Sequence, residues 1–165
     1  MKKYIVPLLI LILLFSMTGC EKQTDGGCRF YYLRTDDMIV FGQADAVVAP
    51  VIREITAQDA GILYLMQRYF EGPSEEGFYS PFPPGTQIIA AQIEGNLLIL
   101  EVSDQFSQLE NIRMTLAGAC LTATCHELGG FDSVRVISGE ESYEFYHSDY
   151  TFFDVIDTQS GKDSQ

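Results

Sequence analysis

The sequence lacks tryptophan, has only two histidines and is poor in basic side chains. Ten Lys and Arg face 23 Asp and Glu over 165 residues, a formal charge of −13. An acidic balance of that size argues against nucleic acid or an anionic lipid surface as partner, since both repel it. His126 and His147 are too few to build a metal site alone. Cys120, Cys125 and His126 do not complete one, because zinc ligands usually come in pairs about two to four residues apart, and Cys125 and His126 are adjacent. A glycine-rich phosphate loop is absent. Carboxylates abound, but none lies in an apolar run that would raise its pKa for acid catalysis. Cys125 with His147 as base is a conceivable nucleophile pair, yet Cys125 falls at a helix end that packing already explains. The expectation is no catalytic residue, no metal and no cofactor.

One long apolar run is present, and it is at the start. Lys2-Lys3 leads into an apolar core from about Ile5 to Phe15, then Ser16-Met17-Thr18-Gly19 and Cys20. Spanning hydrocarbon takes roughly 20 apolar residues, whereas a signal-peptide core takes about 7–15. Residues 1–19 read as a secretory signal. The cysteine directly after Gly19 makes it resemble a bacterial lipoprotein signal, in which Cys20 becomes the mature N-terminus and its sulfur carries diacylglycerol. Two or more acyl chains hold a protein stably on a membrane. The alternative is an uncleaved anchor helix; both readings place the remainder outside the cytoplasm. Losing Lys2 and Lys3 leaves 8 basic against 23 acidic side chains, a charge of −15. Of the four cysteines, Cys28, Cys120 and Cys125 then remain. Cys120 and Cys125 would point about 140° apart on a helix, so they do not pair together. Cys28 could pair with either, but small buried free thiols are the favoured reading.

Residues 20–27 read as a tether. RFYYL, Arg29 to Leu33, is rich in strand formers, Thr35-Asp36-Asp37 turns, and Met38 to Phe41 resumes the strand pattern. Ala46 to Ile55 is extended, with Pro50 favouring an edge or a bend. Thr56-Ala57-Gln58-Asp59 resembles a capping box, and Ile62, Met66, Tyr69 and Phe70 follow at helical spacing, with Leu63 and Leu65 broadening the stripe. Gly61 weakens the first turn, and Gly72-Pro73 ends the helix. Pro73 to Thr86 is a loop stiffened by Pro81, Pro83 and Pro84. A hairpin over residues 87–103 turns at Gly95-Asn96. Ile89, Ala91 and Ile93 share one face and Leu98, Leu100 and Val102 another, which predicts a central, covered hairpin. A second helix is expected from about Gln108 to Leu128, capped by Ser107 to Glu110, with Leu109, Ile112, Leu116, Cys120 and Ala123 as its stripe and Gly129-Gly130 as its stop. Residues 131–138 alternate as a strand. Beyond Gly139 the chain interleaves Tyr143, Phe145, Tyr146, Tyr150, Phe152 and Phe153 with acids, and residues 158–165 form a polar, disordered tail.

PVIREI, then Glu71-Gly72-Pro73, Ser80-Pro81-Phe82-Pro83-Pro84-Gly85-Thr86, Leu100-Glu101-Val102-Ser103 and VRVISGE make residues 29–141 resemble the GerMN domain of sporulation and spore-germination proteins. The doubled proline before Gly85-Thr86 departs from the single one usual in that family. The resemblance implies an α+β fold, a small mixed sheet with two packed helices similar to a ring-building motif. It also implies an assembly module rather than an enzyme. The expected organisation is a signal peptide over residues 1–19, a tether over 20–27, the domain over 28–141, an aromatic extension over 142–157 and a tail over 158–165. The expected role is a lipid-anchored, extracytoplasmic lipoprotein that joins envelope or sporulation-complex proteins. A module binding cell-wall glycan or a small ligand through Phe78 and Tyr79 is the alternative. Candidate contact residues are Phe78 and Tyr79 in the proline loop and Tyr143, Phe145 and Tyr146 in the extension. The extension either adds a strand to the sheet edge or binds a partner.

Overall fold

The computed structural model describes residues 27–35, 47–55 and 61–150. The signal, Cys20, the tether to Gly26, the Met38–Phe41 strand, the Thr56–Asp59 cap and the chain beyond Tyr150 lie outside the described residues.

The fold is α+β, with the described strands divided into two sheets. Strand β1 (Cys28–Arg34) pairs antiparallel with β2 (Val48–Arg53) on one side and with the two-residue β3 (Phe78–Tyr79) on the other. Pro50 sits on β2, an edge strand, where its missing N–H breaks no ladder. The second sheet runs in the order β4 (Ile88–Glu94), β5 (Leu97–Val102), β6 (Ser133–Ser138), β7 (Glu141–Tyr146). It is mixed, because β5 and β6 are parallel while both outer pairs are antiparallel. A parallel pair needs a long crossover, and helix α2 (Asn111–Gly129) supplies it. Helix α1 (Ile62–Phe70) packs beside β4, and α2 lies against β1.

Helix α1 buries Leu65, Met66, Tyr69 and Phe70, while Leu63 remains exposed. Gly61 is its N-cap rather than a residue of its first turn. Helix α2 differs more from expectation. The Ser107–Glu110 cap does not form: Asp104–Gln108 is a short 3-10 helix, Ser107 Oγ donates to Asp104 O at 2.8 Å, and Glu110 caps α2 with no side-chain bond. The expected stripe breaks at Ile112, which is 66% exposed, while Leu109 and Cys120 are buried and Leu116 and Ala123 partly so. From Ala117 to Thr122, and again at Thr124 and Cys125, the helix is buried with no exposed face. It is enclosed by β1 on one side and by β6, β7 and a last 3-10 turn (His147–Tyr150) on others, so a one-faced pattern has no reason to appear.

The hairpin is not central. Strand β5 is, with Leu98, Leu100 and Val102 fully buried, but β4 is an edge. A bulge between Ile88 and Ala90 leaves Ile89 as the extra residue, which breaks the single face read for Ile89, Ala91 and Ile93. Ile89 is 57% and Ile93 51% exposed. One core joins both sheets and both helices, from Phe30, Tyr32 and Val51 through Met66 and Leu121 to Val134 and Phe145.

Candidate functional site

The motif residues knit the fold together. Arg53 at the end of β2 donates to Arg68 O at 2.9 Å and to Gly72 O, binding PVIREI to Glu71-Gly72-Pro73. Gly72 has φ +86 and its N–H donates to Tyr69 O. Pro83-Pro84-Gly85-Thr86 has the form of a type II turn, proline second and glycine third at φ +83, with Thr86 N–H and Oγ1 both donating to Pro83 O. The doubled proline thus fits the turn. Phe82 enters the core against Tyr69, Phe70 and Phe106. Ser103 closes the base of the hairpin by accepting from Gln87 N–H at 2.9 Å and by donating its own N–H to Gln87 O. Ser138 Oγ donates to Ser103 O at 3.1 Å, which ties LEVS to VRVIS.

The candidate contact residues separate. Tyr79 is 46% exposed, but Phe78 packs partly buried against the core, so the loop presents one ring rather than a two-ring platform. Phe145 is 7% exposed and belongs to the core. Its ring fits over Gly118, where an added Cβ would meet Phe145 Cδ1 at 2.5 Å and Tyr150 Oη at 2.6 Å. Tyr143 is half-buried beside Phe106 and donates its hydroxyl to Glu141. That bond, helped by partial burial, pushes its pKa up to about 12. Tyr146 is 46% exposed on the opposite side of β7. The described part of the extension therefore does add an edge strand, and three of its rings, Tyr143, Phe145 and Tyr150, pack in or against the core.

Cys28, Cys120 and Cys125 are free thiols, the last two fully buried. Burial pushes the thiols of Cys120 and Cys125 well above the ordinary range, which leaves Cys125 protonated and a poor nucleophile. His147 stacks on His126 instead, ring centroids 4.0 Å apart and planes 6° from parallel. Among the described residues no three His, Cys, Asp or Glu side chains come together to hold a metal.

A groove of about 390 Å³ opens beside the proline loop. Leu33 from β1, Tyr79 and Pro81 from the proline loop, and Leu109, Arg113 and Leu116 from the start of α2 and the residues before it are among its lining. Sequence reasoning singled out Tyr79 and the prolines but not Arg113. The groove is assembled from three separate stretches of chain, and no local signal marks it. Among the described residues no helix is long and apolar enough to cross a membrane.

Two helices on a mixed four-stranded sheet, a three-stranded sheet across α2, and motif residues spent on turns and clasps define a small α+β domain of the GerMN type. Residues 29–144 match the family model Germane, described as sporulation and spore germination, and the chain belongs to that family. Among solved structures it is similar to the first GerMN domain of the sporulation protein GerM from Bacillus subtilis, at 14% identity and a TM-score of 0.50, covering 70% of this chain and 84% of that one. The tandem GerMN domains of the same protein align at 14% identity and a TM-score of 0.49, over 70% of this chain and 40% of theirs. A candidate lipoprotein from Clostridium perfringens aligns at 21% identity and a TM-score of 0.44, over 73% and 87%. At these identities the likeness concerns the fold. No curated protein sequence matches the chain.

Proposed function

We propose that this chain is an extracytoplasmic lipoprotein, tethered through lipid on Cys20, whose non-catalytic GerMN domain acts by association with other proteins of an envelope, sporulation or germination complex. The observation that carries the reading is family membership over residues 29–144, in which every distinctive motif serves backbone geometry rather than chemistry. Function then rests on the surface, where Tyr79, Ile89, Ile93 and Tyr146 stand exposed. The reading of residues 1–20 as a lipoprotein signal supports the tether.

The test expresses the full chain and its Cys20→Ala variant in a spore-forming host, with labelled fatty acid, fractionation and crosslinking. The reading expects a labelled, membrane-bound wild type crosslinked to defined envelope proteins, and a variant that is unlabelled and shed. Unlabelled protein that stays on the membrane in both strains refutes the lipid anchor. A labelled protein that crosslinks to nothing refutes assembly.

A further inference from the structure

The groove beside the proline loop differs from the rest of the surface in charge. The chain carries more than two acids for every base, yet among the described residues lining this groove none is acidic and Arg113 is the single charged one. Other arginines are engaged. Arg29, Arg68 and Arg135 face Glu127, Glu71 and Glu144, and Arg53 holds two backbone carbonyls. Arg113 has no ion pair and no side-chain hydrogen bond among the described residues. It shares the lining of the groove with Leu33, Leu109 and Leu116 and with the exposed Tyr79. Among the described strands β3, which carries Tyr79, is the outer one of its sheet, so it presents an edge to a further extended segment.

The geometry points to a specific occupant: an extended, apolar segment of a partner protein that places a carboxylate on Arg113. This rests on the assembly reading and names the surface that performs it. Apolar side chains fill the trough, the Tyr79 ring covers one of them, and the carboxylate takes up the guanidinium. The chain's excess of acids repels acidic partners in general, whereas Arg113, without an ion pair among the described residues, offers a carboxylate a local partner here. Charge thus selects the segment and the trough holds it.

The test uses the full chain in mild detergent and two fluorescent octapeptides, one alternating leucine with aspartate and one alternating leucine with asparagine, titrated by anisotropy. Wild type is expected to prefer the aspartate peptide about fivefold, the upper size of a half-exposed ion pair, and to lose that preference as salt is raised. Arg113→Glu, at the start of a helix where an acid is tolerated, should reverse the preference. Tyr79→Ala should weaken both peptides by about tenfold, while Arg135→Glu, remote from the groove, should change neither. Binding of neither peptide, or a preference that survives Arg113→Glu, overturns the proposal. If peptides bind only a chain ending at Tyr150, the last fifteen residues are the occupant and the partner proposal fails. Membrane fractionation and crosslinking are read separately, so failure here leaves the tether and family reading standing.

Discussion

The ring of Phe82 lies flat on the ring of Phe70, centroids 4.3 Å apart and planes 4° from parallel. Phe70 ends helix α1 and Phe82 is the middle of the proline loop, so one stacked pair fixes a loop to a helix. Tyr69 meets the Phe82 ring edge-on at 5.4 Å. The three prolines around Phe82 stiffen its backbone and lower the entropy lost when the loop docks.

Phe82→Ala should therefore act on the whole domain. Removing a buried phenylalanine costs about 3–5 kcal/mol, against a total stability of about 5–15 kcal/mol for a domain of this kind. Denaturant titration followed by tyrosine fluorescence should show a large fall in midpoint. An unchanged midpoint would mean that Phe82 is not a core residue.

Gly118→Ala tests the seat of the last strand. Within a helix the change normally gains about 0.5–1 kcal/mol. Here the new methyl would collide with Phe145 and Tyr150, and overpacking of that kind costs about 1–3 kcal/mol. A net loss in melting temperature is expected, with β7 amides exchanging faster. A gain in stability would show that Phe145 and Tyr150 can retreat without cost.

Alkali should destabilise the fold in a defined window. Burial pushes Tyr32 up to about 12 from an ordinary 10.0 and holds Tyr69 well above that ordinary value too; the bond to Glu141 does the same for Tyr143. In the unfolded chain these phenols ionise first. Their contribution is complete below pH 10 and is lost as pH climbs from there through about 12. Melting temperature should fall steeply between those limits. Tyr32→Phe loses the hydroxyl that donates to Tyr69 O at 2.9 Å, costing about 1 kcal/mol at neutral pH, and should make the alkaline fall shallower. An identical slope in the variant would remove Tyr32 from the account.

Thiol reagents give an independent reading of the core. Cys120 and Cys125 should resist a charged disulfide reagent in the native chain and react only at the rate of unfolding, while half-buried Cys28 reacts earlier. Rapid native labelling of Cys120 or Cys125 would contradict the enclosed helix.

Where the sequence spoke clearly, the chemistry was local. Gly95-Asn96 forms its turn with Gly95 at φ +61, and Gly130 ends α2 at φ +68, because positive φ is a property of the residue itself. The motifs from Glu71-Gly72-Pro73 to VRVIS were legible as a family signature, but not as bonds: nothing local says that Arg53 holds Gly72 O or that Ser138 holds Ser103 O. The edge position of β4 was hidden for the same reason. Its isoleucines suggested cover, yet strand order is decided by where β6 and β7 dock. Ile112 and Ala117 illustrate the helix error. Hydrophobicity favours the first, but enclosure by two sheets favours the small side chain. Arg113 carries no local signal, because its meaning lies in which described side chains line the assembled groove around it.

The parallel pairing of β5 with β6 has a consequence for biogenesis. Neither the four-stranded sheet nor the enclosed stretch of α2 can be completed before residues 133–146 are available. A chain delivered through a narrow pore from its N-terminus keeps its sheet unfinished until the end of the domain has passed, since non-local pairings form late. If the chain is exported as proposed, such topology postpones compaction and keeps the traversing polypeptide pliable, so export and folding need not compete.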